Sequence, residues 1–496
     1  MVTVVTLFAP ATGRPRWILS HASRYPVMTR LFALLLCLLV LAPWPAVARV
    51  VGPQAWQATD TVRDLAEIRR SGVLRVLVNQ SRNSSGEIKG EAIGVEYVRL
   101  RAFEQYLNRG AKGPAIRLKV IPKAKDQLLG ALQRGEGDLV APGELLPLGT
   151  ARQLSRSRAV VDAVEMVLVS RQGGPRYKNF EQLSGRSVAL SAGSAAGTAL
   201  EDINQKLLQA GRAPIVIEWV DPTLAVEDVL EMVQAGVYPA TVVEQTIAKR
   251  WAKVLPKLRV ESRLTLGKTA DMHWFLRKDA SMLHASVDRF LLQYSAPANQ
   301  DAAFERAYRR LYRVQYPLDR TGRQRLEKVR PTLQLHGQQQ EIDWLNLAAL
   351  AFKESTLNPS ARGSSGATGL MQVTPATARS MGVTDISKLD NNVLASAKYL
   401  ANIRRKYFAS PRLNERERMA FILAAYNLGP QRVQTLRAEA RRQGLNPDQW
   451  FFQVERVAMS TLGMGVVSYV NAVNKYYLAY TRERYLLEGS PQSAAN

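Results

Sequence analysis

The sequence predicts a multidomain protein in which an α/β domain precedes a mainly helical one. With 496 residues, the chain is too long for one hydrophobic core, so two or three domains are expected. From about residue 60 to 290, short runs rich in Val, Ile and Leu alternate with amphipathic segments. This alternation is typical of parallel strands covered by helices. From Ile342 onward, nearly every segment has helical periodicity.

The first 48 residues have the composition of an export signal. A basic start at Arg30 precedes an apolar run from Leu31 to Leu41, and a small-x-small site ends at Ala48. This layout is typical of a secretory signal peptide, and the run is well short of the roughly 20 residues that span a membrane. We therefore expect residues 1–48 to be an N-terminal extension and signal peptide that exports the chain to the periplasm. An uncleaved anchor is the alternative.

The charge of the chain indicates its partners. The formal net charge is +25, and residues 1–48 contribute four arginines and no acid, which leaves +21 for the rest. Such a charge favours anionic polymers and allows peripheral contact with an anionic membrane. Nucleic acid is not expected, because the chain is exported and lacks an aromatic-basic motif. The single cysteine, Cys37, lies in the apolar run, so cysteine-based zinc sites are excluded.

Buried strands are predicted through the first domain, at Val73–Asn79, Ile116–Pro122, Gly137–Pro142, Val164–Arg171, Ser187–Gly193, Ile215–Val220 and Ala240–Gln245. The stretches "IRRSGVLRVLV", "DQLLGALQRGEGDLVAP", "FEQLSGRSVALSAGSAAGTAL" and "VLEMVQAGVYPATVVEQ" resemble periplasmic solute-binding proteins of the amino-acid-binding class. The resemblance covers roughly residues 60–290. It implies two α/β lobes, the second inserted in the first near residues 167–260 and joined to it by crossing strands.

The same resemblance implies ligand-binding residues in the first domain. In such proteins an arginine holds a carboxylate and an acid holds an ammonium group, and Arg152 and Glu244 match these positions loosely. Near Ser194, the turn "SAGSAAG" offers backbone N–H groups at a helix N-terminus. Its alternative is an ordinary strand–helix turn.

The remaining chain divides into three parts. Residues 291–340 are basic and helix-prone, which predicts a helical linker. Residues 341–485 form the predicted catalytic domain, and residues 486–496 a disordered tail.

One carboxylate lies at the end of an apolar helix. Glu354 is four residues beyond Leu350 and three beyond Ala351, so it lies on their apolar face. Burial there raises the pKa of a carboxyl group. A glutamic acid that stays protonated near neutral pH is the general acid that glycoside cleavage requires. Alone, Glu354 would more often be a solvated residue at a helix end.

Further motifs follow Glu354 in order. They are Glu354-Ser355, Gly369-Leu370-Met371-Gln372, Ala425-Tyr426-Asn427 and Tyr469. Taken singly, each is more often structural than functional. Together they resemble lytic transglycosylases of the soluble type, which have a goose-lysozyme-like fold, over about residues 340–480. One departure is Gly363, where the family commonly has serine.

This second resemblance implies a reaction and its residues. Glu354 would cleave the β-1,4 bond between N-acetylmuramic acid and N-acetylglucosamine, first as acid and then as base, and form a 1,6-anhydro ring. Gln372, Tyr426, Asn427 and Tyr469 would bind the substrate, with Ser355 and Met371 shaping the cleft. We see no partner carboxylate in the motifs, since Asp385 and Asp390 fit helix capping better. We expect no cofactor and no metal, and we expect His336 at the surface.

The pairing of the two domains resembles a family of membrane-bound lytic murein transglycosylases that joins them in this order. We therefore expect peptidoglycan glycan strands as substrate, muropeptides or cell-wall peptides at a regulatory first domain, and peripheral association with the outer membrane. The alternatives are a catalytically silent periplasmic muropeptide-binding protein and a hydrolysing muramidase, which should have a second carboxylate.

Overall fold

The computed structural model describes residues 63–85, 87–88, 91–110, 113–147, 149, 154–311 and 316–488. The predicted signal segment, residues 1–48, lies outside these ranges, as does Arg152.

The strands of the described residues lie in the first domain. They are β1 (Val73–Asn79), β2 (Glu87–Ile88), β3 (Glu91–Ala92), β4 (Arg117–Lys123), β5 (Leu139–Ala141), β6 (Leu154–Arg171), β7 (Ser187–Leu190), β8 (Val216–Trp219), β9 (Ala240–Glu244) and β10 (Leu258–Arg277). Apart from the β2–β3 pair, those described form a sheet in the order β4-β1-β5-β10-β6-β9-β7-β8.

This strand order defines two lobes, as the sequence predicts. In the first lobe β1 runs parallel to β4 and β5, with Val76 opposite both Val120 and Leu139. In the second lobe β7 runs parallel to β8 and β9. The long strands β6 and β10 pair antiparallel and connect the lobes, with several register shifts along their length. They are the crossing strands that the resemblance implies.

The first domain and the segment after it contain the helices α1 (Leu65–Ser71), α2 (Arg82–Ser85), α3 (Val95–Asn108), α4 (Leu128–Gln133), α5 (Ala196–Gln209), α6 (Val226–Ala235), α7 (Gln245–Ala252), α8 (Ser281–Gln293), α9 (Gln300–Leu311) and α10 (Arg320–Gln339). The last two occupy the segment for which the sequence predicts a helical linker.

The second domain is mainly helical. Its helices are α11 (Trp344–Ser355), α12 (Pro375–Ser380), α13 (Leu389–Tyr407), α14 (Glu415–Leu428), α15 (Pro430–Arg442), α16 (Glu455–Leu462), α17 (Met464–Arg482) and α18 (Arg484–Glu488). Because α18 extends to Glu488, residues 486–488 are helical where the sequence predicts the start of a disordered tail.

The second lobe and the helical domain share one hydrophobic core. Apolar residues of the second lobe such as Trp251 belong to the same buried cluster as Leu350 and Trp450 of the helical domain. Between them, Phe304 packs edge-on against Trp251 with ring centroids 5.3 Å apart, and it contacts Tyr308 at 4.5 Å. The first lobe has its own core around Phe103 and Trp274. Within the ranges described above, no helix is both long and apolar enough to cross a membrane.

Candidate active site

Glu354 lies in the last turn of α11. Asp343 begins this helix, with its carboxylate accepting a hydrogen bond from Leu345 N at 3.1 Å. Most of the helix is buried, from Trp344 to Phe352. The chain then turns sharply, because Thr356 and Leu357 both have positive φ, at 53° and 59°. Glu354 is therefore held at the edge of the core by a rigid helix.

The surroundings of Glu354 favour its protonated form. Burial raises the pKa of this carboxyl group, and this effect outweighs the hydrogen bond from Tyr469 and the charge of Lys353, which both act to lower it. The Tyr469 hydroxyl on α17 donates its hydrogen bond to Glu354 Oε1. Burial and the nearby carboxylate raise the pKa of Tyr469 far above its usual range, so it acts as a neutral donor. The arrangement has the properties of a general acid with an orienting partner.

The loop after α11 is fixed to the helix through Ser355. The Ser355 hydroxyl donates to Leu370 O at 2.8 Å and accepts from Asn358 N at 3.0 Å. Within the loop, Gly369 N donates to Ala361 O at 2.8 Å. Gly369 has φ of +79° and a side chain there would run into Asn392. This glycine is therefore required both by its conformation and by the close approach of α13.

Gln372 occupies a strained position in this loop. Its φ is +49°, in a region that residues other than glycine rarely adopt. Its side-chain amide donates to Gly369 O at 2.8 Å and to Ala361 O at 3.2 Å. A Cβ atom at Gly363 would run into Gln372 Oε1. The glycine at the position where the resembling family commonly has serine thus leaves space for the observed Gln372 side chain.

Tyr426 connects the loop to the helical core. Its hydroxyl donates to Met371 O at 2.8 Å and lies 3.1 Å from the Ser396 hydroxyl. Burial raises the pKa of Tyr426, and the charge of Glu354 raises it further. The next residue, Asn427, is exposed.

Two predicted cleft residues lie behind the site. Met371 is fully buried and Ser355 is 9% exposed. Both residues make contacts within the loop and its helix, so they support the loop. The prediction that they shape the substrate cleft directly does not fit their burial.

Two residues that order this loop, Asn392 and Ser396, are not among the site residues predicted from the sequence. Asn392 is buried; its carbonyl oxygen accepts from Met371 N at 2.9 Å, and its amide donates to Thr368 O at 2.9 Å. Ser396, one turn later on α13, contacts Tyr426. The sequence feature that could have identified Asn392 and Ser396 is their spacing, because they are polar residues four positions apart on an otherwise apolar helix face.

A second carboxylate of the helical domain is buried but engaged elsewhere. Glu417 accepts hydrogen bonds from Trp450 N at 2.7 Å and Phe451 N at 3.2 Å. In the described part of the chain, no carboxylate is among the groups that shift the pKa of Glu354. Glu354 thus has a tyrosine as its hydrogen-bond partner, and the groups that act on its pKa do not include a second acid.

Of the three residues predicted to bind a ligand in the first domain, the structure describes two. Arg152 lies outside the described residues. Ser194 is buried, and its hydroxyl accepts from Ala196 N at 3.3 Å. Glu244 is buried and accepts from Leu145 N at 2.7 Å. Burial raises the pKa of Glu244, while the ammonium group of Lys125 acts to lower it.

Glu244 is the acid predicted to hold the ammonium group of a ligand. In the structure, the ammonium group of Lys125 is close enough for its charge to act on Glu244. Lys125 Nζ lies 2.8 Å from Glu144 Oε2, and Asn79 donates to Glu144 Oε1 at 2.6 Å. Two internal side chains, Lys125 and Asn79, thus contact Glu144 directly, and the charge of Lys125 also acts on Glu244.

The prediction for His336 was wrong. This residue is 3% exposed, with Nε2 2.8 Å from Asp390 Oδ1 and Nδ1 3.1 Å from Gln339 Oε1. It therefore ties α10 to α13. Among the residues that the structure describes, no group of three or more His, Cys, Asp or Glu side chains could hold a metal ion.

The class of the helical domain follows from its sequence match. Residues 332–449 match the family model of the transglycosylase SLT domain. This segment contains Glu354, Gln372 and Tyr426 and ends before Tyr469. The match confirms the prediction of a transglycosylase domain of this type.

The chain as a whole is similar to particular two-domain proteins. It is 27% identical over 479 residues to the membrane-bound lytic murein transglycosylase F of Cronobacter sakazakii, covering 92% of this chain and 86% of that protein. It is 28% identical over 406 residues to the protein of the same name from Desulfosudis oleivorans, covering 79% of this chain and 83% of that protein. These similarities confirm the predicted resemblance.

Among solved structures, an ancestral arginine-binding protein bound to arginine aligns with 47% of this chain and 97% of its own length. The TM-score is 0.38 and the sequence identity 19%.

Proposed function

We propose that this chain is a peptidoglycan lytic transglycosylase that cleaves between N-acetylmuramic acid and N-acetylglucosamine and forms a 1,6-anhydro sugar. The observation that carries the proposal is the half-buried Glu354 with Tyr469 as its hydrogen-bond donor, where Glu354 itself lies within the segment that matches the transglycosylase SLT domain. The similarity to lytic murein transglycosylases over most of the chain supports the same substrate.

In this mechanism Glu354 acts twice. As an acid, it gives its proton to the glycosidic oxygen while the C1–O bond breaks, and the 2-acetamido group of the sugar assists at C1. Glu354 is then a carboxylate and takes the proton of the C6 hydroxyl as O6 bonds to C1. The proton returns to Glu354, so no water is consumed and the catalyst is regenerated. A single acid is sufficient because the substrate supplies the nucleophile.

The neighbouring residues support these steps by position. Tyr469 orients the Glu354 carboxyl group and stabilises its ionised form between the two proton transfers. Gln372 keeps its carbonyl oxygen for a substrate N–H or hydroxyl, since its amide is bound to the loop. The exposed Asn427 is the member of the motif with an amide open to substrate.

We also propose that the first domain regulates the second in response to muropeptides or cell-wall peptides. Polar contacts join the second lobe to α17, the helix that carries Tyr469. Lys475 Nζ lies 2.6 Å from Glu231 Oε2, Asn474 donates to Thr223 Oγ1 at 2.8 Å, and Arg482 Nε lies 2.9 Å from Glu218 Oε1. A change in the second lobe therefore reaches the tyrosine through one continuous helix.

For location, we propose the periplasmic space with peripheral attachment to the outer membrane. The predicted signal peptide and the strongly basic composition support this placement, as does the description of the relatives as membrane-bound.

The proposed function is tested by incubating the full chain and Glu354→Gln with purified peptidoglycan and weighing the soluble products by mass spectrometry. We expect muropeptides ending in 1,6-anhydro sugars, one water lighter than hydrolysis products, and a loss of about 10³-fold in rate for the variant. Reducing-end products would instead establish a hydrolysing muramidase. No products from either protein would favour a silent binding protein.

A further inference from the structure

A cavity of about 160 Å³ lies where the two lobes and the helical domain meet. Its polar lining comes from each of these three parts: Gln80, Ser81 and Arg82 from the first lobe, Glu227 and Asp228 from the second lobe, and Glu455, Arg456 and Asn471 from the helical domain. Its apolar lining includes Val78, Val120, Met459 and Val467. The cavity is separate from Glu354 and from the Lys125–Glu144 pair.

Three buried acceptors that line this cavity have no hydrogen-bond partner among the described residues. They are Gln80 Oε1, Glu455 Oε2 and Asn471 Oδ1. The Asn471 side chain neighbours Glu455 and acts as a weak hydrogen-bonding group that lowers its pKa, without satisfying Oε2 by distance and angle. Glu455 is 2% exposed, and Gln80 binds its other oxygen, Oε1, at 3.1 Å. A buried acceptor that remains unpaired costs roughly 1–3 kcal/mol, so three of them around one cavity indicate a missing donor.

The acidic side chains around the cavity differ in whether a basic side chain pairs with them. Arg82 lies 3.4 Å from Asp228 and 3.8 Å from Glu227, and Lys475 lies 3.2 Å from Asp228. In the part of the chain that the structure describes, no ion pair within 4.0 Å joins Glu455 to a base. Burial raises the pKa of Glu455 to about 7, and it raises that of Glu227 to about 7 as well. Arg456 also lines the cavity and its charge interacts with that of Glu455, but among the described residues Glu455 has no cation in direct contact.

We propose that this cavity binds a small ligand that presents a primary ammonium group on a short apolar stem. The ammonium group lies among Glu455 Oε2, Gln80 Oε1 and Asn471 Oδ1, and its three N–H donors equal the three unpaired acceptors in number. The stem packs against the apolar wall. Because Gln80 belongs to the first lobe and Glu455 to the helical domain, the bound ligand fixes these parts against each other.

The test is calorimetric titration of the full chain at pH 8 with n-butylammonium chloride, and with butanol as the uncharged match. We expect saturable binding of the ammonium compound and none of butanol. Glu455→Gln and Asn471→Leu should each weaken binding at least ten-fold. Glu417→Gln is the matched control, because Glu417 is buried in the same domain but does not line the cavity, and it should retain the affinity.

Circular dichroism establishes that each variant is folded, and Gln80→Leu replaces any variant that is not, since it removes an acceptor from a different part of the chain. The proposal is overturned if butylammonium does not bind saturably. It is also overturned if the cavity variants and Glu417→Gln bind it equally well.

Proton linkage gives a second readout of the same site. The ammonium group stays charged between pH 6 and 8, and it holds Glu455 ionised when bound, so the affinity should rise about ten-fold over this range. The other charged groups that line the cavity are Arg82, Arg456, Glu227 and Asp228. Glu417 does not line it, but its charge raises the pKa of Glu455, so its replacement leaves Glu455 ionised at pH 8. Comparing Glu455→Gln with Glu227→Gln separates the two acids that titrate near pH 7. An unchanged pH dependence in Glu455→Gln would contradict the assignment.

Discussion

Lys475 and Glu231 form an ion pair across the boundary between the helical domain and the second lobe, with 2.6 Å between Nζ and Oε2. Both side chains are largely buried. Lys475 lies on α17 less than two turns beyond Tyr469. The helix that presents the hydroxyl group to Glu354 is thus anchored in the other domain.

Lys475→Met should destabilise this anchor. It leaves Glu231 and Asp228 buried beside a neutral side chain, which costs about 3 kcal/mol when one partner of a buried pair is removed. Thermal unfolding should show the loss. Arg482→Met is the matched control on the same helix, because its pair with Glu218 is more exposed, and it should cost less than about 1 kcal/mol. Equal losses for both variants would contradict the prediction.

Tyr469→Phe should reduce the rate on the order of 10²-fold, as removal of one positioned donor does. It should also move the pH–rate profile. The Tyr469 hydrogen bond lowers the pKa of Glu354, so without this bond the acid stays protonated to higher pH, and the basic limb of the profile shifts upward.

Tyr477→Phe is the control for this experiment. Tyr477 lies on the same helix but donates to Asp343 at 3.1 Å, outside the site, so its loss should leave the profile in place. A downward shift of the basic limb in Tyr469→Phe would mean that this bond stabilises the protonated acid instead.

Glu354→Gln should stabilise the fold at alkaline pH. Burial raises the folded-state pKa of Glu354, so the folded state holds this proton more tightly than the unfolded chain does, and stability is lost as pH rises through the folded pKa. The variant should melt roughly 2 °C higher than the wild type at pH 8, and this difference should disappear at a pH below the ordinary range of a glutamic acid pKa. A difference that is independent of pH would show that ionisation of Glu354 is not its cause.

Asn392→Ala should loosen the loop that carries Gln372. It removes the acceptor for Met371 N and the donor to Thr368 O and Ile386 O, and leaving such buried groups unpaired costs roughly 1–3 kcal/mol. We expect lower thermal stability and a lower rate. Asn391→Ala, at the half-buried neighbouring position, removes hydrogen bonds to Thr384 O and Asp385 O that are exposed to solvent, so it should change neither by a comparable amount. A stable, fully active Asn392→Ala would show that the loop holds its shape without this residue.

The sequence allowed strands of the two lobes such as β1 and β9, which are buried on both faces, to be predicted. It also located β8, but the prediction that this strand is buried was wrong, because Val216 and Trp219 are exposed at the edge of the sheet. The sequence did not reveal β10, in which charged and polar residues interrupt the apolar ones along Leu258–Arg277. This strand forms a ribbon with β6 whose register shifts repeatedly, so no simple alternation marks it. Its position depends on the partner strand rather than on its own pattern.

The candidate site could be located from its motifs. Which of its residues face the cleft and which support the loop from behind could not be predicted. The apolar face around Glu354 predicted the burial that raises its pKa. The same pattern did not reveal that Met371 is fully buried, because a Gly-rich loop has no periodicity from which burial can be inferred. Nor did it reveal Asn392, whose importance comes from the close approach of Gly369 to α13.

The hydrophobic core that the second lobe shares with the helical domain limits where the chain can be divided into stable fragments. By order along the chain, the second lobe belongs to the solute-binding-like part; by packing, its Trp251 belongs with Leu350 and Trp450. A fragment that begins at residue 341 would leave behind Phe304, Leu326 and Leu333, all completely buried. Its newly bared apolar surface would make it prone to aggregate, so proteolytic trimming should preserve residues 300–339 together with the enzyme.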